Sequence, residues 1–143
     1  MNNPVEENTI VTRKLIPEEQ RLSHIEKLFG AHFPLMLEPV IYGITERMAE
    51  AYRGGYWQFY TLNNGGFYLA PEGDQVYQVS CDNYFTGQLS ADALGITACL
   101  YAYSHCSFSR DETAGRLCAR HYHWLRGYMY EHAEVGSILG AID

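Results

Sequence analysis

Between Arg53 and Arg110 the chain has no lysine or arginine, although Glu72, Asp74, Asp82 and Asp92 fall in that interval. Affinity for nucleic acid depends on cations that neutralise phosphates, so this stretch disfavours direct DNA binding. The opposite idea, an acidic imitation of DNA, needs a charge density approaching about one per 1.7 Å. A net charge of −7 over 143 residues is far too sparse for that. Cysteine is scarce too: Cys81, Cys99, Cys106 and Cys118, with no CxxC pair. On one helix Cys99 and Cys106 would stand about 10 Å apart along the axis, too far for a disulfide. They read as reduced core thiols of a cytoplasmic protein. Neither a secretory leader nor a membrane span is expected. The uncharged stretch 93–109 contains Ser104, His105, Ser107 and Ser109, and it is shorter than the roughly 20 apolar residues a span requires.

Catalytic signatures are missing as well. There is no GxSxG elbow, no Walker loop and no GxGxxG after a strand. His121 and His123 are two apart, whereas helical zinc pairs such as HExxH are four apart. His121 falls on an apolar arc and reads as a hydrogen-bonded core histidine. His105-Cys106 matches no ligand spacing. Cys99, Cys106 and Cys118 sit inside helical patterns, and Cys81 neighbours Asp82, whose charge raises a thiol pKa. No catalytic, cofactor-binding or metal-binding residue is assigned, and an enzyme is not expected. A small hydrolase is the weakest reading, since it needs Cys81 and a histidine beside a cleft. Repeats, low-complexity runs and domain linkers are absent too. The expected organisation is a loose segment over 1–14 and a single domain over 15–143.

What is present is aromatic. Aromatics make up 14% of the chain, twelve of them Tyr, and many gather in GGYWQFYTLNNGGFYLAP, residues 54–71. Two β-rich runs flank Asn64-Gly65, which suits a two-residue type I′ hairpin turn. That turn puts Leu62 opposite Phe67, Thr61 opposite Tyr68 and Tyr60 opposite Leu69. One face then holds Trp57, Phe59, Thr61, Tyr68 and Ala70. Tyr56, Tyr60, Leu62, Phe67 and Leu69 lie on the other, so both faces are apolar. Residues 75–80 alternate at period two, Cys81-Asp82-Asn83 turns, and 84–88 reads as a further strand. Helices are predicted from Pro17 to Gly30, Pro39 to Tyr52, Ser90 to Cys106, Asp111 to His132 and Val135 to Ile142, with Ser90 and Asp111 as N-caps. The helix after Ser90 is apolar all round and therefore buried. The fold class is α+β: an antiparallel four-stranded meander over about 56–88, packed with about five helices.

Candidate contact residues lie outside the apolar runs. Arg116, Arg120, His123 and Arg126 form a stripe on the predicted helix 111–132. Glu72, Asp74 and Asp82 stand at strand ends, and Asp143 ends the last helix. Most such faces are merely solvated, with partner contact the sharper alternative. A second reading has hairpin aromatics and the basic stripe binding single-stranded or structured DNA, but the hairpin lacks the basic groove this mode needs.

The hairpin motif, followed by GQLSADALGITACLYAYSHCSF and a last helix ending GAID, resembles the ArdB/KlcA antirestriction family over Leu15 to Asp143. On that resemblance Trp57, Phe59, Tyr60, Asn64, Gly65, Gly66, Phe67, Ser90 and Asp92 are the motif residues that identify the family. The resemblance implies a cytoplasmic protein of plasmids or genomic islands. It would relieve cleavage of unmodified incoming DNA by host type I restriction-modification systems, through contact with that complex or an associated host factor. It brings no catalytic residues and no cofactor, and a mixed fold of helices and an antiparallel sheet.

Overall fold

The computed structural model describes residues 10–143. Strand β1, Arg13–Leu15, comes first, and a 3-10 turn at Glu18–Gln20 leads into α1, Arg21–Phe29. Gly30 stops α1 at φ 57°, a left-handed angle that favours glycine. A π turn, Phe33–Leu37, runs directly into α2, Glu38–Met48. The expected end at Tyr52 is four residues too late. Ala49 is already extended (φ −118°, ψ 99°) and bridges Val79 antiparallel, which takes its backbone out of the helix.

Strands β2, Trp57–Leu62, and β3, Phe67–Pro71, form the expected hairpin, but one residue out of the expected register. Thr61 faces Phe67, Tyr60 faces Tyr68 and Phe59 faces Leu69. The loop has three residues, not two. Gly65 N–H donates to Leu62 O at 3.0 Å, and Leu62 N–H donates to Gly66 O at 2.9 Å. Gly65 takes the left-handed angle, φ 106°, and Asn64 does not. The Asn64 side chain is used instead: its Oδ1 accepts from Gly66 N–H and its Nδ2 donates to the Trp124 carbonyl. A one-residue slip reverses every side chain of β3. Phe67 therefore joins Phe59 against Phe29 and Phe33. Tyr68 turns to the opposite face, stacked with Tyr60 at 4.9 Å and Tyr128 at 5.6 Å.

Strands β4, Val76–Ser80, and β5, Thr86–Ser90, make a hairpin of their own. The expected four-strand meander is thus two antiparallel sheets, β1-β2-β3 and β4-β5. The reason lies at the outer edge of β3, where helix α3, Ala91–Cys106, occupies the place of a fourth strand. Tyr103 OH donates to Phe67 O at 2.7 Å and Cys99 Sγ to Leu69 O at 3.6 Å. Gly95 lets the backbones meet: a Cβ there would lie 2.5 Å from Leu69 O and closer still to Ala70. The third strand of that sheet is β1, part of the stretch expected to be loose. Of that stretch, residues 1–9 lie outside the described residues, but Arg13 and Lys14 pair with Leu62 and Thr61. All three β1 side chains are exposed, so it carries no alternating apolar signal.

Ser90 caps α3 by accepting Ala93 N–H at 3.1 Å. Asp111 caps α4, Glu112–Met129, through Thr113 and Ala114 N–H. The helix stops three residues before the expected His132. Helix α5 spans Val135–Ile142, as the sequence predicts. Leu94, Ile96, Ala98 and Leu100 of α3 are fully buried, each large side chain contributing about 1.5–3 kcal/mol by leaving water. Among the described residues there are five α-helices, the buried side chains form one cluster from Ile16 to Ile138, and the architecture is α+β.

Candidate functional site

A polar cluster forms where α3 begins. Asp92 sits in its first turn, where the helix dipole favours a carboxylate. Its Oδ1 accepts from Arg13 Nη1 at 2.6 Å and from Tyr68 OH at 2.7 Å. Its Oδ2 accepts from His132 Nε2 at 2.9 Å. His132 Nδ1 accepts Glu134 N–H at 3.0 Å, which assigns the imidazole proton to Nε2. Glu134 in turn receives Ser90 N–H at 2.9 Å and Ser90 Oγ at 2.5 Å. Arg13 also donates to Tyr68 OH and lies 4.3 Å over the Tyr60 ring.

The electrostatics fix these groups in one state. Burial pushes Asp92 up, but hydrogen bonds from His132 and Tyr68 and the charge of Arg13 outweigh it and hold the carboxyl below its usual range. Burial and the neighbouring Asp92 raise Tyr68 well beyond an ordinary phenol. For Arg13, burial is opposed and exceeded by the Tyr68 hydrogen bond and the Asp92 charge, so it stays a cation. Both imidazole nitrogens of His132 are engaged, which leaves no lone pair to take a proton from a substrate. The arrangement locks β1, β3, α3 and the α4–α5 turn together. Ser90, Asp92 and Tyr60 belong to the motifs visible in the sequence, whereas Arg13, Tyr68 as a donor, His132 and Glu134 carry no such signal and come within reach only in the folded chain.

The remaining motif residues have defined places. Trp57, Phe59 and Phe67 are buried, so they cannot stack bases. Trp57 Nε1–H donates to Tyr52 OH at 2.8 Å. Tyr60 is half-buried under Arg13. Gly66 is packed so closely that a Cβ would lie 2.8 Å from the Trp124 Cβ. His121 is a core histidine ringed by Phe29, Tyr103 and Trp124. The expected hydrogen bond is not there at Nδ1, which is buried without a partner among the described residues. Burial, with Arg120 nearby, pushes its pKa down to about 4.

Arg116 and Arg120 are exposed on α4 and Arg126 is half-buried. Arg120 lies 5.9 Å over Trp124, and Arg126 donates to Tyr122 OH and Tyr130 OH. Among the described residues no carboxylate pairs with any of the three. Glu72, Asp74, Asp82 and Asp143 are exposed. Glu72 and Asp74 lie in the β3–β4 connection, at the opposite end of β4 from Asp82 in the β4–β5 turn. That turn reaches the last helix, because Asn83 Nδ2 donates to Gly140 O and Ala141 O.

A cleft of about 760 Å³ opens between α2, the β4–β5 turn and α3, lined by Val40, Glu46, Arg47, Cys81, Tyr101 and His105 among others. Cys81 and His105 therefore share a cleft, the placement a thiol hydrolase requires. Burial, reinforced by Asp82 and opposed by the neighbouring Tyr101 hydroxyl, raises the Cys81 pKa. A thiol held protonated is a poor nucleophile. Tyr101 OH is itself spent on Ala141 O, and burial raises its pKa to about 12. Among the described residues no cluster of three or more His, Cys, Asp or Glu is placed to hold a metal ion. No described helix is long and apolar enough to cross a membrane.

Residues 50–143 match the family described as antirestriction protein. The chain is 40% identical over 136 residues to antirestriction protein KlcA of Escherichia coli, covering 93% of this chain and 95% of that one. It is likewise 40% identical over 147 residues to the uncharacterised protein YafX of Escherichia coli (strain K12), covering 99% and 92% of the two. The solved KlcA/ArdB structure superposes with a TM-score of 0.87 at 37% identity, covering all of both chains. That structure was described as a novel fold with antirestriction activity against type I DNA restriction systems in vivo but not in vitro. With matching sequence across most of its length and the same fold throughout, the chain belongs to the antirestriction protein family.

Proposed function

We propose that this protein relieves type I restriction of unmodified incoming DNA in the cytoplasm, by contact with another protein and not by catalysis or by imitation of DNA. One observation carries the non-catalytic part. The densest polar site among the described residues, around Asp92, engages the Asp92 carboxylate, the Tyr68 hydroxyl and both His132 nitrogens internally and holds Asp92, Tyr68 and Arg13 in single protonation states. Such a site has no group free to attack, protonate or deprotonate a substrate. Its solved relative acts in vivo but not in vitro. That behaviour supports a partner present in the cell, either the assembled restriction-modification complex or a host factor it needs. Candidate contacts are the exposed Glu72, Asp74, Asp82, Asp143, Arg116 and Arg120, with Arg126. The reading is tested by plating unmodified phage on a type I restricting host with and without the protein. Equal plating in the two cases defeats it.

A second reading is favoured by α4, where Arg120 and Arg126 lie against aromatic rings and, among the described residues, have no carboxylate partner. It makes α4 a binding face for structured or single-stranded DNA. It requires a salt-sensitive mobility shift that disappears in Arg120→Ala. Absence of any shift at low salt removes it.

A further inference from the structure

The β4–β5 turn repeats the β2–β3 turn bond for bond. Tyr84 N–H donates to Cys81 O at 3.0 Å and Cys81 N–H to Phe85 O at 2.9 Å, the counterparts of Gly65 with Leu62 and of Leu62 with Gly66. Phe85 N–H donates to Asn83 Oδ1 at 3.0 Å, just as Gly66 N–H donates to Asn64 Oδ1 at 3.0 Å. Each asparagine then uses its Nδ2 to hook a helix: Asn64 at Trp124 O, and Asn83 at Gly140 and Ala141 O. The turns differ at the left-handed position. In the first it is Gly65 at φ 106°; in the second it is Tyr84 at φ 72°.

Glycine adopts that angle without a Cβ penalty, whereas a bulky aromatic there is an outlier. Tyr84 is therefore not required by the turn. Nor does the core use it, since it is 94% exposed. A side chain that local folding disfavours stands in solvent on a turn that Asn83 anchors to the last helix. Large aromatics fixed at an exposed tip are the kind of residue that dominates binding energy at protein interfaces.

We infer that Tyr84 anchors a protein-docking surface whose partner brings an arginine or lysine beside an apolar recess. The charge comes from the surroundings. Asp82 is exposed two residues before Tyr84 and forms part of the wall of a cleft that Glu46 and Arg47 also line, so Asp82 is the charge nearest to Tyr84 along the chain. No lysine or arginine occurs in the chain for dozens of residues either side of Tyr84. An arginine can lie on the phenol ring while its fork meets the Asp82 carboxylate.

The inference rests on the reading that the protein relieves restriction by protein contact. Plating of unmodified phage on a type I restricting host is compared for wild type, Tyr84→Gly, Tyr84→Asn and Asp82→Lys at matched protein levels, with thermal midpoints measured on the purified chains. Glycine and asparagine both tolerate the left-handed angle, so these variants keep a midpoint at or above that of the wild type. Relief drops at least about tenfold in Tyr84→Gly, Tyr84→Asn and Asp82→Lys. Folded Tyr84 variants that relieve restriction as well as wild type overturn the anchor. Asp82→Lys that matches or exceeds wild type overturns the cationic partner. If wild type itself gives no relief, the functional reading falls, and this inference falls with it.

Discussion

Tyr68 and Asp92 lie 24 residues apart in the chain, and the Tyr68 hydroxyl donates to the Asp92 carboxylate at 2.7 Å. This bond joins the sheet strand β3 to the first turn of the most buried helix. The cluster around it is load-sharing: Arg13 and His132 bring in the first strand and the α4–α5 turn.

Replacing Asp92 by Ala leaves Tyr68 and His132 without their acceptor and should cost about 2–3 kcal/mol. The Arg13 share is kept small because both side chains are partly exposed. Asp92 has a depressed folded pKa, so its contribution is complete above the unfolded value of about 3.9 and is lost as pH falls through the folded value. Urea midpoints taken from pH 5 downwards should fall more steeply for wild type than for Asp92→Asn.

His121 acts in a different pH window. Below about 6.5 the unfolded chain binds a proton, while the buried ring does not until about pH 4. Stability should therefore decrease between those two values, by up to about 3 kcal/mol. His121→Leu removes the orphaned Nδ1 and should flatten that slope. Equal midpoint shifts in the two proteins between pH 7 and pH 5 would count against it.

Gly95→Ala forces a Cβ into the β3 backbone, with Leu69 O at 2.5 Å. Overpacking against main chain cannot be relieved by a rotamer change, and a loss of about 3 kcal/mol is expected. Gly136→Ala, where nothing lies within 4 Å of the added carbon, is the control. Circular-dichroism melts of the two variants separate the cases.

Arg13→Ala should free the first strand and leave the core intact. The ion pair is more than a third exposed on the arginine side, so the global loss is expected to be only about 1 kcal/mol. Local effects should be larger. Ile16 N–H, which donates to Phe59 O at 2.8 Å, should exchange with deuterium much faster, while amides in α3 hardly change.

Caps and long apolar runs were readable in the chain because they are local. Ser90 and Asp111 cap their helices, and α5 has the expected bounds. The hairpin was readable as an element but not in register. Asn64-Gly65 supports two turn lengths, and the choice depends on the Trp124 carbonyl 60 residues away. The single meander was unreadable for a similar reason: whether β4 pairs with β3 depends on what else covers that edge. Arg13–Leu15 gave no signal because its pairing uses backbone and charge, without an alternating apolar face. Around Asp92, Ser90, Tyr60 and Asp92 itself stood in recognisable motifs, while Arg13 came from a segment without pattern and His132 from the far end of a predicted helix.

The carbonyls of Phe67 and Leu69 bear on recognition as well as on folding. Helix α3 already occupies both, through Tyr103 and Cys99, so an incoming strand finds no open ladder along that side of β3. Strand addition, a sequence-tolerant mode of recognition and a common route to aggregation, is closed there. A partner approaching that side must read side chains, so single substitutions can separate its binding from the stability of the fold.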